Sequence, residues 1–122
     1  MLIPEAELLE LKGYTREQVT LLMCAADALL MTSHTEGSPQ VVKEAMACGC
    51  PIVSVDVGDV RWVTENVTGC YIAERNPQAI VACLREAMAF GSRTEGRDRI
   101  QELGLTNDKV VEKLMTIYQS VI

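Results

Sequence analysis

Ala28-Leu-Leu-Met31-Thr-Ser-His34-Thr-Glu36-Gly37-Ser38-Pro39-Gln40-Val41-Val42-Lys43-Glu44-Ala-Met46-Ala-Cys48-Gly49-Cys50 is the stretch whose reading decides the fold. Its first four residues form an apolar run too short for a helix and suited to a buried parallel strand. A polar loop follows, Thr32 to Gly37, and then a helix with start and stop signals. Ser38 is a favoured N-cap, Pro39 suits a first helical position whose N–H would be unpaired anyway, and Gly49 suits the residue just past the end. Val41, Val42, Ala45, Met46 and Cys48 recur at three- and four-residue spacings, giving that helix one apolar face. Pro51 follows, and Ile52-Val-Ser-Val55 reads as the next buried strand.

Working outward, Thr15-Arg-Glu-Gln18 is a capping box that opens a helix running to about Ala25, with Val19, Leu22 and Met23 inward. Upstream, Ala6 to Leu11 reads as a short strand ended by Gly13. Downstream, Asp56 to Asp59 reads as a loop, residues 60 to 65 as a short helical turn, and Cys70 to Ala73 as the last strand. Asn76-Pro77 starts a helix that buries Ile80, Val81, Leu84 and Met88 and stops at Gly91. Arg93, Arg97 and Arg99 alternate with Glu95, Asp98 and Glu102, the pattern of an exposed mixed-charge helix with a solvated face, ending near Gly104. Thr106 or Asn107 caps a final helix whose Val110, Val111, Leu114, Met115, Tyr118 and Val121 form an apolar stripe, a surface suited to self-association. The chain is thus α/β, a partial Rossmann-like domain: a parallel sheet of about four strands flanked by helices.

Composition narrows the function. With 122 residues there is room for one domain and a single core. A net charge of −6 argues against DNA or RNA as partner. Five cysteines, Cys24, Cys48, Cys50, Cys70 and Cys83, form no C-x-x-C pair and sit in apolar contexts, the pattern of reduced, buried thiols in a cytoplasmic protein. With one histidine and no ligand-type spacing, no metal site is expected. No apolar run nears membrane-spanning length, and the acidic N-terminal residues do not read as a signal peptide.

In an open parallel sheet, ligands bind outside the carboxyl ends of the strands, where a loop delivers the N-terminus of the next helix. The N–H groups of Gln40 and Val41 would face that crevice and favour an anion. Glu36 and Glu44 bracket the same place. Ionised carboxylates accept only, so they suit sugar hydroxyls rather than phosphate. Phosphate on the amides and hydroxyls on the carboxylates is the chemistry of a nucleotide-sugar. Taken singly, Glu44 is also consistent with an exposed helix carboxylate beside Lys43, and Glu36 with an ordinary loop acid. His34 reads as a solvent-facing loop residue, and Met23, Met46, Met88 and Met115 as core.

The run from Glu36-Gly37-Ser38-Pro39 to Glu44-Ala45-Met46-Ala47-Cys48-Gly49, with seven residues between the glutamates, resembles the signature of family 4 retaining glycosyltransferases of the GT-B fold. Ala25-Ala26-Asp27, Thr32-Ser33, Pro51-Ile52-Val53-Ser54, Val57-Gly58-Asp59-Val60 and Thr68-Gly69-Cys70-Tyr71-Ile72 fall in that family's order, so the resemblance covers about residues 8 to 90. It implies a catalytic-site role for Glu36 beside the reacting carbon of the transferred sugar, and contacts from Gly37 and Ser38 to that sugar. It further implies that the amides of Gln40 and Val41 hold the distal phosphate and that Glu44 binds the ribose diol. The donor, a UDP- or GDP-sugar, would be a substrate rather than a cofactor, the acceptor hydroxyl is unassigned, and no metal is implied. Residues 1–122 would form a single domain, the C-terminal part of a donor-binding domain whose first strand–helix units, together with the N-terminal domain, are absent. The family's basic residues for the diphosphate lie in those units, and the isolated chain would be inactive. Two departures stand out. Ser38-Pro39 replaces a frequent Phe-Gly, so Pro39 offers no N–H, and Trp62 replaces a frequent glutamate. Two alternatives compete: a non-catalytic nucleotide-sugar module completed by another chain, and a GT-B sugar-nucleotide epimerase.

Overall fold

A computed structural model of the chain describes residues 6–32 and 40–104. The elements run α1 (Arg16–Ala25), β1 (Leu29–Met31), α2 (Gln40–Ala47), β2 (Ile52–Val55), α3 (Val60–Val63), β3 (Cys70–Ala73), α4 (Pro77–Phe90) and α5 (Gly96–Glu102). The three strands form one parallel sheet in the order β1-β2-β3. Leu29 pairs with Ile52, and Ile52 in turn with Cys70, so the strands start level. The fold is α/β, a partial Rossmann-like domain.

The expected strand at Ala6 to Leu11 does not form. Residues 6–11 have no regular structure, and Leu8, Leu9 and Leu11 are 71, 52 and 39% exposed. Their order, Glu7-Leu8-Leu9-Glu10-Leu11, lacks the period-two alternation of a half-buried strand, and a strand without a partner leaves its backbone groups unpaired. The described sheet has three strands where about four were expected.

β2 is central and fully buried. One face of the sheet, with Leu29, Met31, Ile52, Cys70 and Ile72, packs under Met23 of α1, Val42, Ala45 and Met46 of α2, Val60 and Val63 of α3 and Ile100 of α5. The other face, with Leu30, Val53, Tyr71 and Ala73, lies under Cys83, Leu84 and Ala87 of α4. The strands thus carry apolar side chains toward both layers, with Val55 joining the cluster of Ile52, which is why they read as largely apolar runs. Of the methionines expected in the core, Met23 and Met46 are buried and Met88 is half-buried, while Met115 lies outside the described residues.

The caps follow their sequence signals. Thr15 Oγ1 accepts from the Gln18 amide at 3.1 Å, and Gln18 Oε1 accepts from the Thr15 amide at 2.9 Å. Asn76 accepts from the Ala79 amide at 2.8 Å, with Pro77 opening α4. α2 ends in a Schellman turn: Gly49, at φ +71°, donates to Met46 O at 3.0 Å, and Cys50 donates to Ala45 O at 2.9 Å. The Ser38 and Pro39 start signals of α2, and the final helix with its self-association stripe, lie outside the described residues.

The segment after α4 forms the expected helix with Arg97, Asp98 and Glu102 exposed, but its other side is packed against the domain. Arg93 donates from Nη1 to Met23 O at 3.1 Å and from Nη2 to Ala26 O at 2.6 Å, closing the last carbonyls of α1. Arg99, its side chain 16% exposed, donates to Val63 O and Trp62 O at 3.2 and 2.9 Å, closing α3 in the same way. Cations suit helix C-termini, where carbonyls lack intrahelical partners. Between these two anchors Gly96 is buried against the backbone of Met46. α5 is therefore a packed element.

All five cysteines are free thiols, but only Cys50 is fully buried and Cys24 is exposed, against the expectation that all are buried. Burial pushes the Cys70 thiol up to about 12. Burial, helped by the neighbouring Cys24, pushes Cys48 up to about 11. For Cys70 the folded value lies above the ordinary thiol value of 9.0. Its contribution to stability is therefore complete below about pH 9 and is lost as pH rises toward about 12. Urea midpoints should fall between pH 8 and about pH 10.5, and Cys70→Val should flatten that fall. An equally steep fall in the variant would show that Cys70 is not the group responsible.

Candidate functional site

The three parallel strands place the carboxyl ends of Met31, Val55 and Ala73 along one edge, the edge where α/β folds bind ligands. α2 follows β1 and returns antiparallel to it, so its N-terminus faces this edge. Of the expected site residues, the structure brings Gln40, Val41 and Glu44 together on the first two turns of α2. Gln40 is exposed, and Val41 and Glu44 are half-buried. The first N–H groups of a helix lack intrahelical partners, the general reason that a helix start favours an anion. Glu36, Gly37, Ser38 and His34 lie outside the described residues.

Charge along this edge is arranged in pairs. Glu44 Oε1 lies 3.8 Å from Arg16 Nη2, a contact between α2 and the start of α1. Arg16 is 84% exposed, so this pair is open to solvent and contributes little stability. Lys43 Nζ lies 3.5 Å from Asp59 Oδ2, and both side chains are largely covered. Asp56 Oδ2 accepts from Arg61 Nε at 3.0 Å. Arg75, just after β3, donates from Nη1 to Thr32 O at the end of β1, 2.9 Å away. That guanidinium spans the carboxyl edge from β3 to β1, across the end of β2.

Between β2 and β3 this edge opens into a cleft of about 250 Å³ lined by Val55, Asp56, Arg61, Ile72, Glu74 and Arg75. Its lining combines the apolar Val55 and Ile72 with two carboxylates, Asp56 and Glu74, and two guanidiniums, Arg61 and Arg75. On the sequence alone, the family resemblance put the basic residues for the diphosphate in strand–helix units outside this chain, and only Lys43 stands beside Glu44. The structure supplies Arg16, Lys43, Arg61 and Arg75, each recruited from a different element. No local spacing announces them, because each meets its partner only once the sheet has formed. Trp62, which departs from the family pattern, is 50% exposed on α3. Among the described residues, no cluster of three or more His, Cys, Asp or Glu side chains could hold a metal ion. Nor is any described helix long and apolar enough to cross a membrane.

A parallel α/β layer that presents a helix N-terminus and a carboxylate at the carboxyl ends of its strands is the arrangement at which open α/β sheets bind ligands. Comparison with known families is more specific: the chain belongs to the glycosyl transferases group 1 family, whose model matches residues 4–89. The D-inositol 3-phosphate glycosyltransferase of Geodermatophilus obscurus is 30% identical over 95 residues, covering 77% of this chain and 21% of that protein. The enzyme of the same name from Mycolicibacterium gilvum is 30% identical over 106 residues, covering 85% of this chain and 24% of that protein. The N-acetyl-alpha-D-glucosaminyl L-malate synthase of Bacillus anthracis is 27% identical over 113 residues, covering 88% and 29%. The chain thus spans between about a fifth and under a third of the length of these relatives. No solved structure matches it.

Proposed function

We propose that this chain is the donor-binding portion of a retaining, metal-independent glycosyltransferase of GT-B architecture. The parent protein moves a sugar from a nucleotide-sugar, such as a UDP- or GDP-sugar, to an acceptor hydroxyl. In this reading residues 1–122 are the C-terminal part of the donor domain, working in the cytoplasm on a polysaccharide or glycoconjugate pathway. The isolated chain binds donor without turning it over. The observation that carries the reading is the family match across residues 4–89, a span that contains Glu36, Gln40, Val41 and Glu44. The placement of the last three on one helix at the carboxyl edge supports it. The named acceptors of the relatives differ, inositol 3-phosphate in one and malate in another, which supports assigning the shared segment to the donor.

Each residue then has a task. The amides of Gln40 and Val41 hold the distal phosphate, where the helix dipole favours the charge that grows on the departing diphosphate. Glu44 takes the two ribose hydroxyls, an arrangement a neutral side chain matches poorly because it offers fewer acceptor sites. Gly37 and Ser38 line the sugar, and Glu36 stands near its reacting carbon. Catalysis of this kind rests on positioning and electrostatic stabilisation rather than on a strong protein nucleophile.

Calorimetric titration of UDP, GDP and ADP into the wild-type chain and into Glu44→Ala tests the reading. One nucleotide should bind saturably, and Glu44→Ala should weaken it by about ten- to a hundredfold, the worth of hydrogen bonds to a charged group. Equal affinity in the two proteins would remove Glu44 from the site and the donor assignment with it.

A further inference from the structure

Cys48 lies in the turn just after α2, with its sulfur against α1. Its Sγ is 3.9 Å from Thr20 O. In an α-helix the carbonyl of Thr20 is the acceptor for the amide of Cys24, four residues on, and residues four apart share one face. The Cys48 sulfur is thereby placed beside Cys24, and the Cys48 thiol hydrogen-bonds with the Cys24 side chain. Cys24 is exposed and Cys48 half-buried, so the pair can be reached from solvent through Cys24. The other thiols are held elsewhere. Cys50 is fully buried with its sulfur on the carbonyls of Ala26 and Pro51, and Cys83 belongs to the opposite layer under α4.

We propose that Cys24 and Cys48 form a dithiol modification site, which closes to a disulfide by exchange with a low-molecular-weight disulfide. The exposed Cys24 thiolate attacks one sulfur of oxidised glutathione, forming a mixed disulfide and releasing one glutathione thiolate. Cys48, having given up its proton to solvent, attacks Cys24 Sγ and expels the second glutathione. Two protein thiols are oxidised to one disulfide, and the glutathione disulfide is reduced to two thiols. Burial, helped by Cys24, pushes the Cys48 thiol up to about 11, so the second step is the slower and the Cys24 adduct precedes the bond. The bond ties α1 to the end of α2 and closes a loop that contains β1 and α2. This site is independent of the donor reading.

The test incubates the folded wild-type chain, Cys24→Ser, Cys48→Ser and Cys48→Ala with oxidised glutathione at about pH 8.5, where thiol exchange is quick. The reaction is quenched with acid, and the products are mapped by intact mass and peptide mass spectrometry. Wild type should first gain one glutathione on Cys24 and then lose it, ending two hydrogens lighter than the starting chain. The Cys24 and Cys48 peptides should then be linked, with Cys50, Cys70 and Cys83 still thiols. Both Cys48 variants should stop at the Cys24 adduct, and Cys24→Ser should stay unmodified over the same time. Oxidation in urea, where the fold no longer holds the pair together, should scatter links among all five cysteines. A wild-type chain that stops at the Cys24 adduct, links to a second chain through Cys24, or joins some other pair of cysteines overturns the proposal. So does a Cys24–Cys48 link that forms no faster in the folded chain than in urea.

Discussion

Gly96→Val is expected to lower the stability of the chain by about 3 kcal/mol, the upper end of the usual range for overpacking a tight contact. A Cβ built at position 96 would stand 2.8 Å from Met46 O, 3.0 Å from Met46 Cα and 3.0 Å from Met46 Cβ. Two of these are backbone atoms in a helix whose inner face is sealed in the core, so neither can swing aside as a side-chain tip would. Either α5 lifts off α2, or α2 is pressed toward the sheet. Domains of this size are stable by roughly 6–15 kcal/mol, so the loss is a large fraction of the whole. Equilibrium urea unfolding of wild type, Gly96→Ala and Gly96→Val should show a graded fall in midpoint. An unchanged midpoint for valine would mean that α5 does not rest on α2.

Met46→Ala should cost a similar amount, about 3 kcal/mol, by the opposite route. Met46 is wholly buried and is among the largest side chains without solvent contact. Truncation removes its transfer energy and leaves a cavity, a combination that spans about 2–5 kcal/mol for methionine-sized side chains. Met46→Leu keeps the volume and should cost less than about 1.5 kcal/mol. Unfolding curves read both, and a loss under about 1 kcal/mol for alanine would show that α2 contributes little to the core. The two substitutions should not relieve each other. Alanine at position 46 keeps O, Cα and Cβ, the very atoms that a Cβ at position 96 would meet.

Much of the fold was legible in the sequence wherever the deciding forces are local. β2 and β3 take the bounds of their apolar runs, Ile52–Val55 and Cys70–Ala73. α1 begins directly after Thr15, the N-cap of its capping box, and α4 runs from the residue after Asn76 to the residue before Gly91. What the sequence hid is long-range. Arg93 and Arg99 alternate with acids as surface residues do, and nothing nearby reveals that their guanidiniums close α1 and α3, up to 70 positions away. Leu8 and Leu9 look like strand residues until the sheet shows no partner for them. At the site, helical spacing alone put Gln40, Val41 and Glu44 on one helix start. Their proposed roles come from the resemblance, and Lys43 and Asp59 gave no sign of each other across 15 intervening residues.

The two arginine anchors and Gly96 all lie beyond residue 89, where the family match ends. A chain emerging from the ribosome completes β1, α2 and β2 long before these residues appear. Until Arg93 and Gly96 are made, the carbonyls of Met23 and Ala26 lack their guanidinium donor, and the surface of α2 that Gly96 later covers lies bare. During synthesis the helix at the centre of the site therefore stays open on one flank well after its own residues are made, and that flank is a surface a nascent-chain chaperone would meet.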